Sequence, residues 1–149
     1  MDTIERPSMS YIRRVTEADI PWLHDLCARA YPKGYFNPED AEKWVRYMIA
    51  NAMLDSSTHL VLRGDRSWLV AFVQSLPWNM AQKVARLLPV SSLGSARREI
   101  EEMVRIAVDW ARKKGAGEFH FATITGVDLG PIVLPLGAKP SSPAYVLRL

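Results

Sequence analysis

The stretch Pro89 to Val104, PVSSLGSARREIEEMV, sets a small glycine-containing turn directly before a strongly periodic helical segment. A helix N-terminus leaves backbone N–H groups unpaired and carries the positive end of the helix dipole, so such a turn can cradle an anion. Arg97 and Arg98 follow the turn and are read either as charge for that anion or as a solvated first turn. In EFHFATI, a strand by composition, alternation puts Phe119 and Phe121 on one face and Glu118 and His120 on the other. His120 is thus either a candidate base beside a carboxylate or a packed, partly buried ring. The single cysteine, Cys27, lies one helical turn from Leu23 and reads as a small buried hydrophobe rather than a nucleophile. With His24, His59 and His120 it forms no metal-ligand spacing, and no metal site is expected.

These residues need elements to hold them. YIRRV, Tyr11 to Val15, reads as a short strand, and TEAD opens a helix in which Ile20, Leu23, Leu26, Cys27 and Ala30 face the core. After the loop YPKGYF, Asn37 caps a second helix with Pro38 in its first position. Thr58 to Leu62 and Ser67 to Ser75 form a hairpin around RGDR. AQKVARLLPV reads as a fourth strand or a helical turn, ended in either case by Pro89. A third helix then buries Ile100, Met103, Val104, Ala107 and Ala111 and stops at KKGAG. EFHFATI, a short irregular helix in TGVDLGPIVLPLG, and a last strand PAYVLRL complete the order β-α-α-β-β-β-α-β-α-β. That order predicts an α/β (α+β) fold with one mostly antiparallel sheet flanked by helices.

The 149 residues suit a single domain, 1–149, and 48% hydrophobic with 23% charged residues is an ordinary globular composition. The net charge of +3 and a pI near 9.2 come from scattered basic residues, so nucleic acid is not an expected partner. No apolar run is long enough for a membrane span, and MDTIERPSMSYIRR does not read as a signal peptide, which makes the cytoplasm the expected location.

Three segments carry a resemblance to the GNAT superfamily of N-acetyltransferases. IRRVTEADIPWLHDL resembles the family's first strand and helix, SSLGSA its acyl-CoA pyrophosphate loop, and PLGAKP the segment after its last helix. They fall in the family's order across nearly the whole chain. The resemblance implies a GNAT-like central mixed sheet, here with a shortened C-terminal hairpin, and acetyl-CoA as the acyl donor. It places the pyrophosphate on the N–H groups of Leu93, Gly94, Ser95, Ala96 and Arg97, with Gly94 and Ala96 small enough for close backbone approach. The pantetheine arm would lie along the fourth strand, at Leu88 and Val90.

The chain departs from the family's pattern at chemically important positions. Ser91 stands where Gln or Arg is usual, Val133 falls at the tyrosine position that serves as the acid, and Ala138 at the phenylalanine. Met80 to Val90 contains no Asp or Glu to act as the strand-borne base. Acid–base work then falls to His120, Glu118 and Tyr145, with His120 and Tyr145 the expected catalytic pair. The resemblance puts the loop AYPKGYF and Trp44 where the family binds its acceptor, and Tyr31, Tyr35, Phe36 and Trp78 form either an aromatic acceptor wall or ordinary packing.

Two functions follow. One is an N-acetyltransferase acting on an amine. The other is a GNAT-like scaffold without catalysis, a structural component of a homo-oligomer or larger assembly. Small GNAT-like proteins of tailed bacteriophages, some of them internal virion proteins, resemble this chain too, and that reading would place it in the virion. The C-terminal edge strand would recruit the partner by strand addition.

Overall fold

The structure is a computed structural model that describes residues 12–31, 34–52, 58–92, 96–122, 128–140, 145 and 147–149, with 88–92 described by their backbone. The chain starts with β1 (Arg13–Arg14), a 3-10 turn (Glu17–Asp19) and α1 (Ile20–Ala30), followed by α2 (Pro38–Ala52). Next come β2 (His59–Arg63), β3 (Ser67–Leu76) and β4 (Asn79–Ser92). Then follow α3 (Arg97–Lys113), β5 (Glu118–His120), α4 (Gly130–Val133) and a closing 3-10 turn (Leu134–Leu136). The five strands lie in sequence order in one sheet, antiparallel except for the parallel pair β4–β5.

Strand alternation sorts the core onto two faces. Val61, Trp68 and Val70 point to α1 and α2, where they pack on Leu23, Leu26, Val45 and Met48. Leu60, Leu62, Leu69 and Ala71 point the other way, to Ile100, Met103, Val104 and Ala107 of α3 and to Ile132 and Val133 of α4. The expected core stripe of α3 is buried throughout, and that of α1 is buried except for Ala30, which is half-buried. Asn37 caps α2 by accepting a hydrogen bond from the Asp40 N–H at 3.1 Å. Gly115, at φ 89°, supplies the left-handed residue that stops α3.

Asp19 anchors the entry to α1. It is 5% exposed and accepts both Arg13 guanidinium nitrogens, at 2.7 and 2.8 Å, Arg63 Nη1 at 3.0 Å and the Thr16 N–H at 2.8 Å. Its hydrogen bonds to Arg13, then to Thr16 and Arg63, outweigh burial and hold its carboxyl well below the usual carboxylate range. The Arg63 guanidinium also lies 3.5 Å from the centroid of the Trp22 ring. At the turn of the β2–β3 hairpin, on the opposite face of the sheet, Glu99 of α3 accepts the Ser67 hydroxyl at 2.8 Å and the Arg66 N–H at 3.0 Å. A Cβ on Gly64 would collide with that carboxylate, so the glycine of RGDR is there for the close approach of α3.

Three expectations are corrected. Pro89 does not end the fourth strand. Leu69 pairs with Val90 and Ala71 with Leu87, so Val70 faces both Leu88 and Pro89 in a bulge, and a bulge tolerates a residue without an N–H. The helical alternative for this segment is excluded. Among the described residues of EFHFATI, Glu118–His120 are strand, and Phe121 and Ala122 have left the sheet. Of the expected last strand PAYVLRL, the described residues Tyr145 and Leu147 to Leu149 are exposed and outside any strand, and β5 is the edge of the sheet among the described residues.

Candidate functional site

The parallel strands separate where chemistry could enter. β5 pairs with β4 only over Val84, Ala85 and Arg86, while β4 continues through the bulge to Ser92. Beyond Arg86, the β5-facing side of β4 has no strand beside it among the described residues. The chain then reaches α3, whose N-cap residue Ala96 is 9% exposed and gives no side-chain cap to the first-turn N–H groups. Arg97 crosses to α4, where its Nη2 donates to the Pro131 carbonyl at 3.4 Å. Leu93, Gly94 and Ser95 lie outside the described residues, as do the side chains of Leu88 and Val90.

A cleft of about 830 Å³ wraps the open edge of β5 and runs to α4. Phe119 and Phe121 stack with ring centroids 4.5 Å apart and pack on the α3–α4 side. Glu118 and His120 take the opposite face, as alternation requires, and His120 Nε2 lies 3.0 Å from Glu118 Oε1. An ionised carboxylate only accepts, so this contact puts the proton on Nε2 and leaves Nδ1 to act as a base. Val133 and Ala138 also line the cleft, and Val133 is 8% exposed, so the expected acid position holds an apolar core residue. Tyr145 is not brought to His120's cleft. It is 89% exposed and lines neither of the two clefts described here.

A second cleft, about 370 Å³, opens between α1, α2 and β3. Tyr31, Tyr35 and Phe36 of the expected wall line it, together with Trp44, but Trp78 does not: it sits 81% exposed in the β3–β4 turn. Trp68, missed in the sequence, forms part of the lining and meets Trp44 edge to face at 6.2 Å. Its alternation with Leu69 and its Trp identity were the available signal. Tyr31 and Phe36 are parallel at 6.5 Å, and His24 meets Phe36 edge-on at 6.1 Å. The indole Nε1 of Trp68 and Nε2 of His24 are both buried without a hydrogen-bond partner among the described residues. Glu42 Oε1 stands 3.9 Å from that His24 nitrogen. Cys27 also lines the cleft, and burial pushes its thiol up to about 12, which leaves it protonated and inert as a nucleophile.

No group of His, Cys, Asp and Glu suited to a metal ion occurs among the described residues. No described helix is long and apolar enough to cross a membrane.

A mixed sheet bulged on its fourth strand, opened at a parallel fifth and backed by helices on both faces is the fold of the GNAT acetyltransferases. Solved structures agree with this. A predicted acetyltransferase with acetyl-CoA from Clostridium acetobutylicum matches with a TM-score of 0.67, 12% identity, and coverage of 92% of this chain and 94% of that one. A putative acetyltransferase from Agrobacterium tumefaciens matches at 0.69, 14% identical over 93% and 99% of the two chains. The aminoglycoside 6'-N-acetyltransferase AAC(6')-IG from Acinetobacter haemolyticus matches at 0.66, 17% identical over 93% and 97%. At these identities the likeness is one of fold. No family model matches the sequence, and no curated protein matches it.

Proposed function

We propose that this protein is an acyl-CoA-dependent N-acetyltransferase of the GNAT superfamily that acetylates an amine. The observation that carries the reading is the opening between β4 and β5, which leads directly to an uncapped α3 N-terminus. The residues present fit acetyl-CoA: beyond Arg86, β4 has backbone with no strand beside it among the described residues, α3 has first-turn N–H groups for a pyrophosphate, and Arg97 adds charge nearby. When bound, acetyl-CoA would supply a thioester carbonyl as the acetyl donor. The N–H groups from Leu93 to Arg97 would hold its phosphates, and Leu88 and Val90 would flank its arm.

His120 is the base of this scheme. Glu118 holds its Nε2–H, and Nδ1 takes the proton that the amine nitrogen releases as the N–C bond forms and the C–S bond breaks. Solvent protonates the departing thiolate, because Val133 has no proton to give and Tyr145 stands apart from the cleft. Calorimetric titration with acetyl-CoA tests the reading, and no heat at high micromolar ligand would end it. His120→Gln should lower kcat/KM by about 10²- to 10⁴-fold while acetyl-CoA affinity holds.

A second reading is favoured by the open β5 edge, the carboxylate-free β4 and the buried Val133: a scaffold of GNAT fold, assembled into a homo-oligomer or a virion. The edge available to a partner is β5 rather than the expected C-terminal strand. Light scattering separates the two readings. A monomer that binds acetyl-CoA favours the enzyme, working in the cytoplasm, and an obligate oligomer that does not bind it favours the scaffold.

A further inference from the structure

We propose that the cleft between α1, α2 and β3 binds a compact aromatic amine, an arylalkylammonium that carries a hydrogen-bond acceptor on its ring. The inference rests on the acetyltransferase reading and names the class of amine that would be its acceptor, held in a cleft that shares no lining residue with the one holding His120. Three observations converge on it.

Charge comes first. The chain has a net charge of +3, yet the described residues lining this cleft include no Lys or Arg, and they include Asp40. Glu42 approaches from behind His24. Arg148 reaches the outer rim, where its Nη1 donates to Tyr35 Oη at 3.3 Å, and does not line the cleft. A described lining whose one charged group is Asp40 favours a cation.

The rings come next. Tyr31, Phe36, Trp44 and Trp68 surround the space, and aromatic faces attract an ammonium while their area takes up an apolar body. A volume of about 370 Å³ suits one ring and a short alkylamine. An aminoglycoside has many ammonium and hydroxyl groups to satisfy, and the lining has too few polar partners for them.

The third observation decides the ring substituent. Trp68 is 2% exposed, and its Nε1–H has no acceptor among the described residues. An indole N–H can only donate, so a ligand completes it by bringing an oxygen lone pair.

Calorimetry with tyramine, phenethylamine, spermidine and kanamycin, run without any acyl donor, tests the inference. Tyramine should bind, about fivefold to tenfold tighter than phenethylamine, which lacks the ring hydroxyl. Phe36→Ala should weaken tyramine about tenfold, and Asp40→Asn, an exposed change that spares folding, about threefold to fivefold. Tyramine binding no tighter than spermidine or kanamycin would overturn the inference, as would binding indifferent to Asp40→Asn. Acetyl-CoA binding without tyramine binding sinks this inference and spares the acetyltransferase reading. Tyramine binding without acetyl-CoA binding does the reverse and leaves an amine-binding cleft.

Discussion

Asp19 and the α1–α2 cleft are two polar regions beside the same helix, and they are built on opposite terms. Around Asp19 every strong acceptor site is used: two arginines and a backbone N–H converge on one carboxylate. In the cleft, Trp68 Nε1 and His24 Nε2 are buried without a hydrogen-bond partner among the described residues, and His24 has only the Glu42 carboxylate at 3.9 Å. A satisfied buried group holds a fold together, whereas an unsatisfied one costs stability and must be kept for another reason. The contrast separates what makes this chain fold from what it is equipped to bind.

The largest expected effect breaks the satisfied side. Asp19→Ala leaves Arg13 and Arg63 without their shared carboxylate and should cost about 3–5 kcal/mol in urea unfolding. A loss below about 1 kcal/mol would mean that Asp19 is only a surface pair. The same residue sets an acid limit. Its carboxyl titrates lower in the folded than in the unfolded state, so its contribution is complete above roughly pH 5 and fades as pH falls below the ordinary carboxylate range. In Asp19→Asn, urea midpoints measured from pH 6 down to 3 should fall less steeply than in the parent.

Glu99 repeats the satisfied pattern on the other face of the sheet, with Ser67 and Arg66 as its donors. Gly64→Ala forces that carboxylate aside and should destabilise by about 1–3 kcal/mol, read as a lower Tm. The smallest effect has the opposite sign. His24→Leu removes an unpartnered buried nitrogen while keeping the apolar body, and it should stabilise by up to about 1 kcal/mol while weakening amine binding. Lower stability in this variant would show that His24 is already satisfied.

Much of the frame was legible because it is local. Periodicity marked the buried faces of α1 and α3, Asn37 and Pro38 marked the start of α2, and RGDR marked the β2–β3 turn. Pro89 misled because its effect depends on the partner strand: opposite Val70 it sits in a bulge and the strand runs on. PAYVLRL misled because apolar alternation makes a strand only where an edge accepts it. The site was legible in halves. Glu118 and His120 share a face by the strand's period of two, and their contact follows from it. The place of Trp68 in the cleft depends on α1 and α2 closing over β3, which no local pattern encodes.

By itself, then, the sequence determined whatever rests on near neighbours: the helices, their caps, the hairpin, the inert character of Cys27 and the shared face of Glu118 and His120. Only the tertiary structure decided where β4 and β5 part, which tryptophan lines the cleft, and which polar atoms are left without partners. Those depend on strands and helices far apart in the chain arriving at one place, and hydrogen-bond satisfaction can be judged only once they have arrived.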